Sequence, residues 1–584
     1  MFKEITSISK NYAFVKIVGT INDDILNYNV IFEEANKKIL GEIEEIIDDK
    51  IKITFLGEFI NDKFFSGIIR KPSLYANVRL INQAELNELV GLNDMFSMKL
   101  GTSPLYNNYP IMVNIDKMFS NHSAIFGNTG SGKTCGVARL VQNLFIMKDK
   151  LPVNSCFFIF NNTNEYDNAF KTLNSYNNSF NYKLYSTNND NLIKLPLWLM
   201  DVDDYANLLD VTEYSQISVI EKMLKLVSIF ARNDNDSMRY KNHLLAKAIM
   251  SVLYSNQLPA RVRDQIFNIL EDTNTLELNL DVEIPGVGYT RQFRKCFDLD
   301  SQGQFVERIL VIEYIEQFLD NNTKWNEDYV PIYFTLDDLE VALNFALISE
   351  GLLLNEKSYA EETALKVKLH SLNNSFYSKF FDYKDFCNIS QFVSSIVMDN
   401  NNKAQIINFV LEEIDDRLAK AIVKVYSRLL FRFTKSLPNR GAMPIHIMLE
   451  EAHRYVQKDI DNSILGYNIF ERIAKEGRKF GLILDLITQR PTELSETVIS
   501  QCSNFLIFKI NHPTDLEYIR KMVPNISADV IEKQKSLQSG TCVAFGQMMK
   551  IPMIVKMELP DPEPYSSNAK IYERWIVDSR NEKS

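Results

Sequence analysis

The sequence predicts an α/β protein whose parallel-sheet core is preceded by a small β-barrel and interrupted by a helical insertion. From Asn11 to about Asn82, short β-branched and aromatic runs are separated by Gly, Asn and Asp turns, which is typical of a small barrel. Between about Leu195 and Asn402 the apolar residues recur with helical spacing. On both sides of that stretch, short apolar runs alternate with amphipathic helices, as in a parallel sheet covered on both faces.

The length and composition indicate several ordinary globular domains. A chain of 584 residues exceeds the usual single domain several times over. Its composition, 46% hydrophobic and 24% charged, excludes a disordered, collagen-like or coiled-coil protein. We divide it into an N-terminal β-barrel (1–100), a first core part (101–195), a helical insertion (196–402), a second core part (403–560) and a C-terminal tail (561–584).

The sequence indicates where the protein works and what it contacts, through its apolar runs, its cysteines and its net charge. No apolar run reaches the roughly 18 residues of a membrane span, and the residues from Met1 to Ile5 lack the pattern of a signal peptide. The six cysteines lie too far apart for a zinc site or a disulfide framework. We therefore expect a cytoplasmic protein that contacts no membrane. The net charge of −11 argues mildly against a protein coated in nucleic acid, although a basic surface can be local.

The predicted core strands lie on both sides of the insertion. The runs 123–126 and 155–160 are short and apolar, and apolar residues after Gly132 follow the helical period. Beyond the insertion we predict strands over 405–411, 445–449, 482–488, 504–510 and 541–545, with a helix over 417–433. Alternating strands and helices predict that all of these strands run parallel.

Residues 127–134 match the P-loop pattern G-x-x-x-x-G-K-[ST], in the strand-to-helix position that its mechanism requires. Glycines let backbone N–H groups turn towards a polyphosphate, and the helix N-terminus adds positive partial charge. Lys133 then reaches the β- and γ-phosphates, and the Thr134 hydroxyl binds Mg²⁺. We expect ATP to contact Gly127, Asn128, Thr129, Gly130, Ser131, Gly132, Lys133, Thr134 and Cys135.

A second pattern is the apolar run 445–449 followed by Glu450 and Glu451, as in a Walker B motif. Successive side chains diverge at the end of a strand. Glu450 would then face Mg²⁺ through water, while Glu451 would orient or deprotonate the attacking water. The alternative is an ordinary strand followed by a helix whose acids suit its dipole. His453 is more typical of a packed, hydrogen-bonded histidine than of a reacting group.

Two further residues are candidates for catalysis. Gln489 follows the run 482–488 and would sense the γ-phosphate or hold the attacking water; the alternative is a glutamine that binds loop backbone. Arg478 follows a helix that ends at Gly477 and would act as an arginine finger on a neighbouring subunit. The alternative for Arg478 is a solvated helix end. Asp485 lies inside a predicted buried strand and needs a partner that the sequence does not identify.

Taken together, these motifs resemble the HerA branch of the HerA/FtsK ATPases, which are hexameric RecA-like motors. The resemblance rests on the barrel, the P-loop, the run 450–453, the runs 476–481 and 488–491, and a tail that includes 511–515 and the residues from Gly540 onward. The family usually carries Asp-x-x-Gly-Glu-Tyr after the second strand. Here residues 161–166 read Asn-Asn-Thr-Asn-Glu-Tyr, so Asn161 replaces the acid, while Glu165 and Tyr166 are kept.

The resemblance implies a RecA-like core in an ATP- and Mg²⁺-dependent homo-hexamer that translocates double-stranded DNA. Relatives of this kind work with a separate effector, either a NurA-like nuclease or a sirtuin-like NADase, the latter in anti-phage defence. No nuclease or deacylase pattern occurs in this sequence, so we expect an effector in trans. The alternative is a nucleotide-gated scaffold that activates its effector without translocation. For DNA contact the candidate run is 289–295, which also fits an exposed charged loop.

Overall fold

The computed structural model describes fourteen segments of the chain. They are residues 2–18, 25–34, 37–91, 96–147, 152–173, 180–188, 191–211, 213–320, 331–349, 356–399, 402–457, 468–522, 528–565 and 571–575.

The described strands between Phe2 and Leu80 form an antiparallel sheet with its own core. Its strands pair in the order β1-β2-β5-β4-β3-β7, with β6 beside β5, and the outermost strands β1 and β7 contact each other. Alternate side chains such as Val15, Val30 and Ile53 are fully buried inside it, as the predicted barrel requires. The strands are β1 (Phe2–Ile8), β2 (Tyr12–Ile17), β3 (Asn29–Glu34), β4 (Lys37–Ile47), β5 (Lys50–Ile60), β6 (Lys63–Ser66) and β7 (Asn77–Leu80).

A short helix leads from the barrel into the first part of the core. It begins at a capping box, in which Asn82 and Glu85 each bond the other's backbone N–H. The elements up to the insertion are α1 (Gln83–Val90), β8 (Ser97–Ser103), β9 (Tyr109–Asn114), α2 (Ile115–Phe119), β10 (Ser123–Phe126), α3 (Lys133–Phe145), β11 (Phe157–Asn161), α4 (Asp167–Lys171) and β12 (Tyr182–Tyr185).

The insertion is mainly helical, as its periodicity predicts. The apolar face of the helix that begins at Tyr214 is buried, including Ile220, Met223 and Val227. The insertion comprises α5 (Val202–Leu208), α6 (Tyr214–Phe230), α7 (Asn235–Leu253), α8 (Pro259–Asp272), β13 (Glu283–Gly286), β14 (Tyr289–Gln292), α9 (Arg308–Glu316), α10 (Leu336–Ser349), α11 (Glu356–Asn373), α12 (Ile389–Val397), β15 (Met398–Asp399) and β16 (Asn402–Lys403).

The chain then returns to the core sheet. The elements are β17 (Ile406–Val410), α13 (Asp416–Ser436), β18 (Ile445–Glu450), α14 (Ile469–Glu476), β19 (Leu482–Thr488), α15 (Glu496–Gln501), β20 (Asn504–Phe508), α16 (Pro513–Met522), α17 (Ala528–Lys535), β21 (Thr541–Gly546), β22 (Met553–Lys556) and α18 (Ile571–Trp575). Short 3₁₀ segments are Pro104–Tyr106, Leu197–Leu199, Phe293–Phe297, Phe376–Phe380, Ala452–Arg454, Gly477–Phe480 and Pro491–Glu493. No helix among the described residues has the length and apolarity to cross a bilayer.

Eleven strands from both core parts make one sheet, in the order β12-β17-β11-β18-β19-β10-β20-β21-β22-β8-β9. The strands from β12 to β20 in this order run parallel. The α/β class, with an N-terminal barrel-like sheet and a helical insertion, is therefore confirmed. Because β10, β11, β18 and β19 are parallel neighbours, their carboxyl ends lie at one edge of the sheet.

The prediction that all core strands run parallel is wrong for 541–545. This strand, β21, pairs antiparallel with both β20 and β22, and the antiparallel series continues through β8 to β9. The connections β8–β9 and β21–β22 are only a few residues long, and a short connection joins antiparallel strands only. Apolar runs predict a strand but not its direction.

Candidate nucleotide-binding site

The P-loop lies between the end of β10 and the start of α3. Gly130 and Gly132 have φ of 75° and 89°, conformations that glycine adopts without strain. Gly132 is the N-cap of α3, so the helix begins at Lys133. The backbone N–H of Gly127 donates to the carbonyl of Thr488 at 3.3 Å, which ties the loop to the end of β19. The loop thus has the turn and the helix N-terminus that bind phosphate.

Lys133 points towards the predicted acids. The residue is 7% exposed, and its Nζ lies 3.9 Å from Oε1 of Glu451. A buried ammonium group needs anionic or hydrogen-bonding partners. The structure therefore brings the P-loop lysine and the second acid of the pair into one site, although the insertion separates them in sequence.

Glu450 is the last residue of β18 and is buried. The hydroxyl of Tyr166 donates a hydrogen bond to its Oε2 at 2.7 Å. Burial raises the pKa of Glu450 to about 7, against the opposing effects of the Lys133 charge and the Tyr166 hydrogen bond. Burial also raises the pKa of Tyr166 well above its ordinary value, so the phenol keeps the proton that it donates.

Glu451 leaves the strand in a different direction from Glu450. Its φ of 51° and ψ of 48° are left-handed, which is uncommon for a residue other than glycine. Oε2 of Glu451 lies 3.2 Å from Nδ1 of His453, and the same nitrogen lies 2.9 Å from Oγ1 of Thr488. Burial opposes ionisation of Glu451, but His453 and Lys133 outweigh it and lower the pKa of this carboxyl. The two acids thus diverge as predicted and have opposite pKa shifts.

Gln489 lies directly after β19 and contacts the P-loop. Its Oε1 accepts a hydrogen bond from the hydroxyl of Thr129 at 2.8 Å. Because β19 lies between β18 and β10, Gln489 is placed between the two motifs. The structure therefore brings together the P-loop, Glu450, Glu451 and Gln489.

Arg478 is not part of this cluster. It precedes β19, whereas the site lies at the carboxyl end of that strand, so the seven residues of β19 put roughly 20 Å between them. Arg478 is exposed, and its guanidinium forms no ion pair or hydrogen bond with another described residue. Its position excludes contact with a phosphate held by its own P-loop.

Sequence reasoning missed the roles of two side chains. Tyr166 holds Glu450, and the signal was its place in the Glu165–Tyr166 pair after β11. His453 was expected to be packed and hydrogen-bonded, but its partner Glu451 was not foreseen. Asn161, which replaces the usual acid, is fully buried; its Oδ1 accepts from the Thr163 backbone at 3.1 Å, and its Nδ2 has no partner among the described residues.

The residues present fit a magnesium-bound nucleotide. Oγ of Ser131 is buried without a hydrogen-bond partner in the described parts of the chain, as expected of a group that binds a ligand. A side chain added at Gly130 would meet open space, so the loop is accessible. The described residues include no cluster of three His, Cys, Asp or Glu that would hold a metal alone. Mg²⁺ at such sites commonly binds one or two protein oxygens together with phosphate and water.

The candidate DNA-contacting run 289–295 is not a free loop. It forms β14 and the start of a 3₁₀ segment, in which Phe293 is fully buried. Arg291 pairs with Glu307 at 3.5 Å, and Arg294 pairs with Glu271 at 3.8 Å. These contacts favour a structural role within the insertion.

The sequence of this chain is similar to those of known HerA helicases. Residues 98–282 match the family model described as helicase HerA, central domain. The DNA double-strand break repair helicase HerA of Saccharolobus solfataricus is 30% identical over 221 residues, which cover 37% of this chain and 44% of that protein. The HerA helicase of Pyrococcus furiosus is 22% identical over 522 residues, covering 85% of this chain and 79% of that protein.

Several matches are partial, and the chain spans about half the length of the first curated relatives that it matches. Among solved structures, VirB4 of Thermoanaerobacter pseudethanolicus aligns with a TM-score of 0.41 and 12% identity. That alignment covers 80% of this chain and 97% of VirB4.

Proposed function

We propose that this chain, which belongs to the HerA-type ATPases of the HerA/FtsK superfamily, is an ATP-hydrolysing motor that translocates double-stranded DNA. It works as a homo-hexameric ring in the cytoplasm, together with a separate effector. The observation that carries the proposal is the position of Lys133 and Glu451, side by side at the edge of the sheet where the P-loop lies.

Each side chain of the cluster has a role that suits its surroundings. Lys133 and the P-loop backbone bind phosphate oxygens, while Thr134 and Glu450 would hold Mg²⁺. When bound, Mg²⁺-ATP supplies the electrophilic γ-phosphorus and a metal that neutralises phosphate charge. Tyr166 orients Glu450 through its hydrogen bond. Cys135 lies in the first turn of α3, next to the phosphate site.

Glu451 is the proposed base. Its lowered pKa keeps it ionised at neutral pH, so that it can accept a proton from an attacking water. His453 fixes the carboxylate on the side away from Lys133. Gln489, whose side chain already bonds Thr129, is placed to orient that water or to sense the γ-phosphate.

Arg478 is proposed to complete the site of a neighbouring subunit. It lies at the opposite edge of the sheet from its own P-loop and forms no ion pair within the described chain. A guanidinium placed against a neighbour's γ-phosphate would neutralise charge that develops during hydrolysis. This arrangement requires a ring, because each site then needs two subunits.

The charge distribution supports DNA contact away from the insertion. The insertion 196–402 carries 18 Lys and Arg against 32 Asp and Glu, a net charge of −14. The rest of the chain therefore has a net charge of +3. Since phosphate repels an acidic surface, DNA would follow the core and barrel rather than the insertion. The overall acidity of the protein is thus no argument against a DNA motor.

The effector is proposed to bind in trans. No second catalytic pattern occurs in the sequence, so a NurA-like nuclease or a sirtuin-like NADase would supply the cleavage, in anti-phage defence. The barrel, within residues 1–100 of the division proposed above, is the proposed docking region because its strands β1 to β7 form a sheet separate from that of the motor core.

The proposal is tested by ATP turnover of the purified full chain with and without linear duplex DNA. A translocating motor predicts several-fold stimulation by duplex DNA, with Glu451→Gln protein as the inactive control. A nucleotide-gated scaffold predicts no response to DNA and stimulation by the co-purifying effector instead. Turnover that does not respond to duplex DNA at low salt would therefore overturn translocation and leave the ATPase assignment standing.

A further inference from the structure

The segment between α17 and β21 runs directly over the P-loop. Oγ of Ser539 donates a hydrogen bond to the carbonyl of Gly130 at 2.9 Å. The backbone N–H of Gly540 donates to the carbonyl of Ser131, also at 2.9 Å. We call residues 534–540 the P-loop clamp.

The clamp and the P-loop are in close contact. A Cβ atom added to Gly132 would lie 2.6 Å from the backbone nitrogen of Gly540, closer than side-chain atoms approach backbone. Gly540 itself has φ of 77°, a left-handed conformation that glycine adopts without strain. Glycine is therefore needed on both sides of this contact.

These two hydrogen bonds constrain the direction of the P-loop peptides. In a trans peptide the carbonyl and the following N–H point in opposite directions. Holding the carbonyl of Ser131 against the clamp turns the N–H of Gly132 away from it. The N–H of Ser131 is also held by the carbonyl of Asn128 at 3.1 Å. Glycine peptides rotate easily, so without the clamp the N–H of Gly132 loses its fixed aim. Donors that are aimed in advance bind phosphate more tightly than donors that must reorganise.

The clamp is anchored to the sheet at both ends. At its start, Gln534 is 2% exposed, and its Oε1 accepts from the backbone N–H of Ile510 at 2.7 Å. At its end, the carbonyl of Gly540 accepts from the N–H of Met557 at 2.9 Å. The clamp therefore moves with the sheet that carries the nucleotide site.

The residue before the clamp connects it to the N-terminal barrel. Nζ of Lys533 lies 2.5 Å from Oε1 of Glu42 on β4, and the two side chains are 8% and 14% exposed. Breaking a buried ion pair by removing one partner is strongly unfavourable, because the other charge stays buried. A displacement of β4 would therefore pull on α17 and on the clamp.

We propose that the P-loop clamp positions the phosphate-binding peptides and that the Glu42–Lys533 pair couples this positioning to the barrel. Ser539 is a positioning residue in this account, because it acts through the Gly130 carbonyl. The inference rests on the proposed function in that the ligand is a nucleotide. It assigns to the barrel a regulatory role: whatever binds there changes the affinity of the P-loop.

The first test compares Ser539→Ala with Ser536→Ala in the full chain. Both serines are exposed, but among the described residues the Ser536 hydroxyl bonds the carbonyl of Lys533, within its own segment. Loss of the Ser539 hydrogen bond should raise the Kd for a fluorescent ATP analogue about fivefold. Amide exchange over residues 130–134 of the nucleotide-free protein should become faster. Ser536→Ala should leave the nucleotide Kd and the amide exchange rate unchanged. If the two variants give equal values of both quantities, the positioning role of Ser539 is overturned.

The second test measures coupling to the barrel. Glu42→Gln should raise the nucleotide Kd severalfold, whereas Asp49→Asn, whose partner Lys16 lies within the barrel, should not. In the double variant Glu42→Gln with Ser539→Ala, the effects should fall short of additive. Additive effects, or an unchanged Kd in Glu42→Gln, would overturn the coupling. The exchanged pair Glu42→Lys with Lys533→Glu should restore affinity if Glu42→Gln acts through this contact rather than through unfolding.

The controls separate this inference from the proposed function. If the wild-type protein binds no ATP analogue, the proposed function fails. If the wild type binds and hydrolyses ATP, and Ser539→Ala and Ser536→Ala both have the wild-type nucleotide Kd, only the proposed role of the clamp is rejected.

Discussion

Nζ of Lys133 lies 3.9 Å from Oε1 of Glu451, although the whole helical insertion separates the two residues in sequence. The contact exists because the insertion leaves the core after β12 and the chain re-enters the same parallel sheet at β17. Both residues then follow parallel strands, which end at a common edge. The P-loop and the paired acids therefore form one site.

Removing the Tyr166 hydroxyl tests how Glu450 is held. In Tyr166→Phe the carboxylate loses its 2.7 Å hydrogen bond and turns more freely. We expect the Mg²⁺ concentration for half-maximal ATP turnover to rise on the order of tenfold, the equivalent of a hydrogen bond to a charged group. Tyr426→Phe is the control, because that hydroxyl bonds the carbonyl of Lys194 away from the site. An unchanged Mg²⁺ requirement in Tyr166→Phe would show that Glu450 needs no such support.

Mixing variants tests whether Arg478 acts between subunits. Arg478→Ala and Lys133→Ala should each be inactive alone, whereas mixed rings contain some sites with both an intact P-loop and an intact arginine. We expect partial recovery of ATP turnover that depends on the mixing ratio. Lys479→Ala, at the exposed neighbouring position, should turn over ATP at the wild-type rate. Absence of recovery at every ratio would argue against a role in trans.

His122 makes the stability of the fold depend on pH. Its Nδ1 accepts from the N–H of Leu484 at 2.9 Å, and its Nε2 donates to the carbonyl of Ala474 at 3.1 Å, so the contact at Nδ1 requires the neutral ring. Burial lowers the pKa of His122 to about 4, and the Arg478 charge adds to this, against the opposing charge of Asp485.

The unfolded chain protonates this histidine below its ordinary pKa of about 6.5, while the folded chain does not. Protons therefore favour unfolding, and stability falls as the pH drops from about 6.5 towards 4, by roughly 2–3 kcal/mol. Melting temperatures at pH 7 and pH 5 measure this. His122→Asn should lose less on acidification than the wild type, whereas His512→Asn, at an exposed position, should match it. If the melting temperature falls equally in all three proteins between pH 7 and pH 5, His122 is not the source of the pH dependence.

The sequence predicted the strands of the core better than their arrangement. Buried runs such as Leu482–Thr488 are mostly apolar, so their position is clear from local pattern. The antiparallel direction of β21 depends on pairing with β22 and β8, which local pattern does not encode. The partners of Asp485 could not be predicted from local sequence either. They are Ser123 Oγ at 2.5 Å and His446 Nδ1 at 2.7 Å, on neighbouring strands that are distant in sequence.

The candidate site, like the fold, could be predicted from the sequence only in part. The P-loop and Glu450–Glu451 are contiguous motifs, and the structure brings them together. Tyr166 belongs to the Glu165–Tyr166 pair, and His453 lies two residues after Glu451, so the sequence marks both residues without showing what they contact. Ser539 bonds the P-loop from a distant segment whose own sequence carries no mark of the contact. Such contacts arise only from tertiary packing.

The most direct test of the shared site is a single-turnover experiment with ATP on two variants. It gives both the affinity for the nucleotide and the rate of hydrolysis. Glu451→Gln should bind with nearly wild-type affinity and hydrolyse on the order of 10²–10⁴-fold more slowly, because it keeps the P-loop and loses the base. Lys133→Ala should not bind measurably. Hydrolysis at the wild-type rate in Glu451→Gln, or normal binding in Lys133→Ala, would contradict the account.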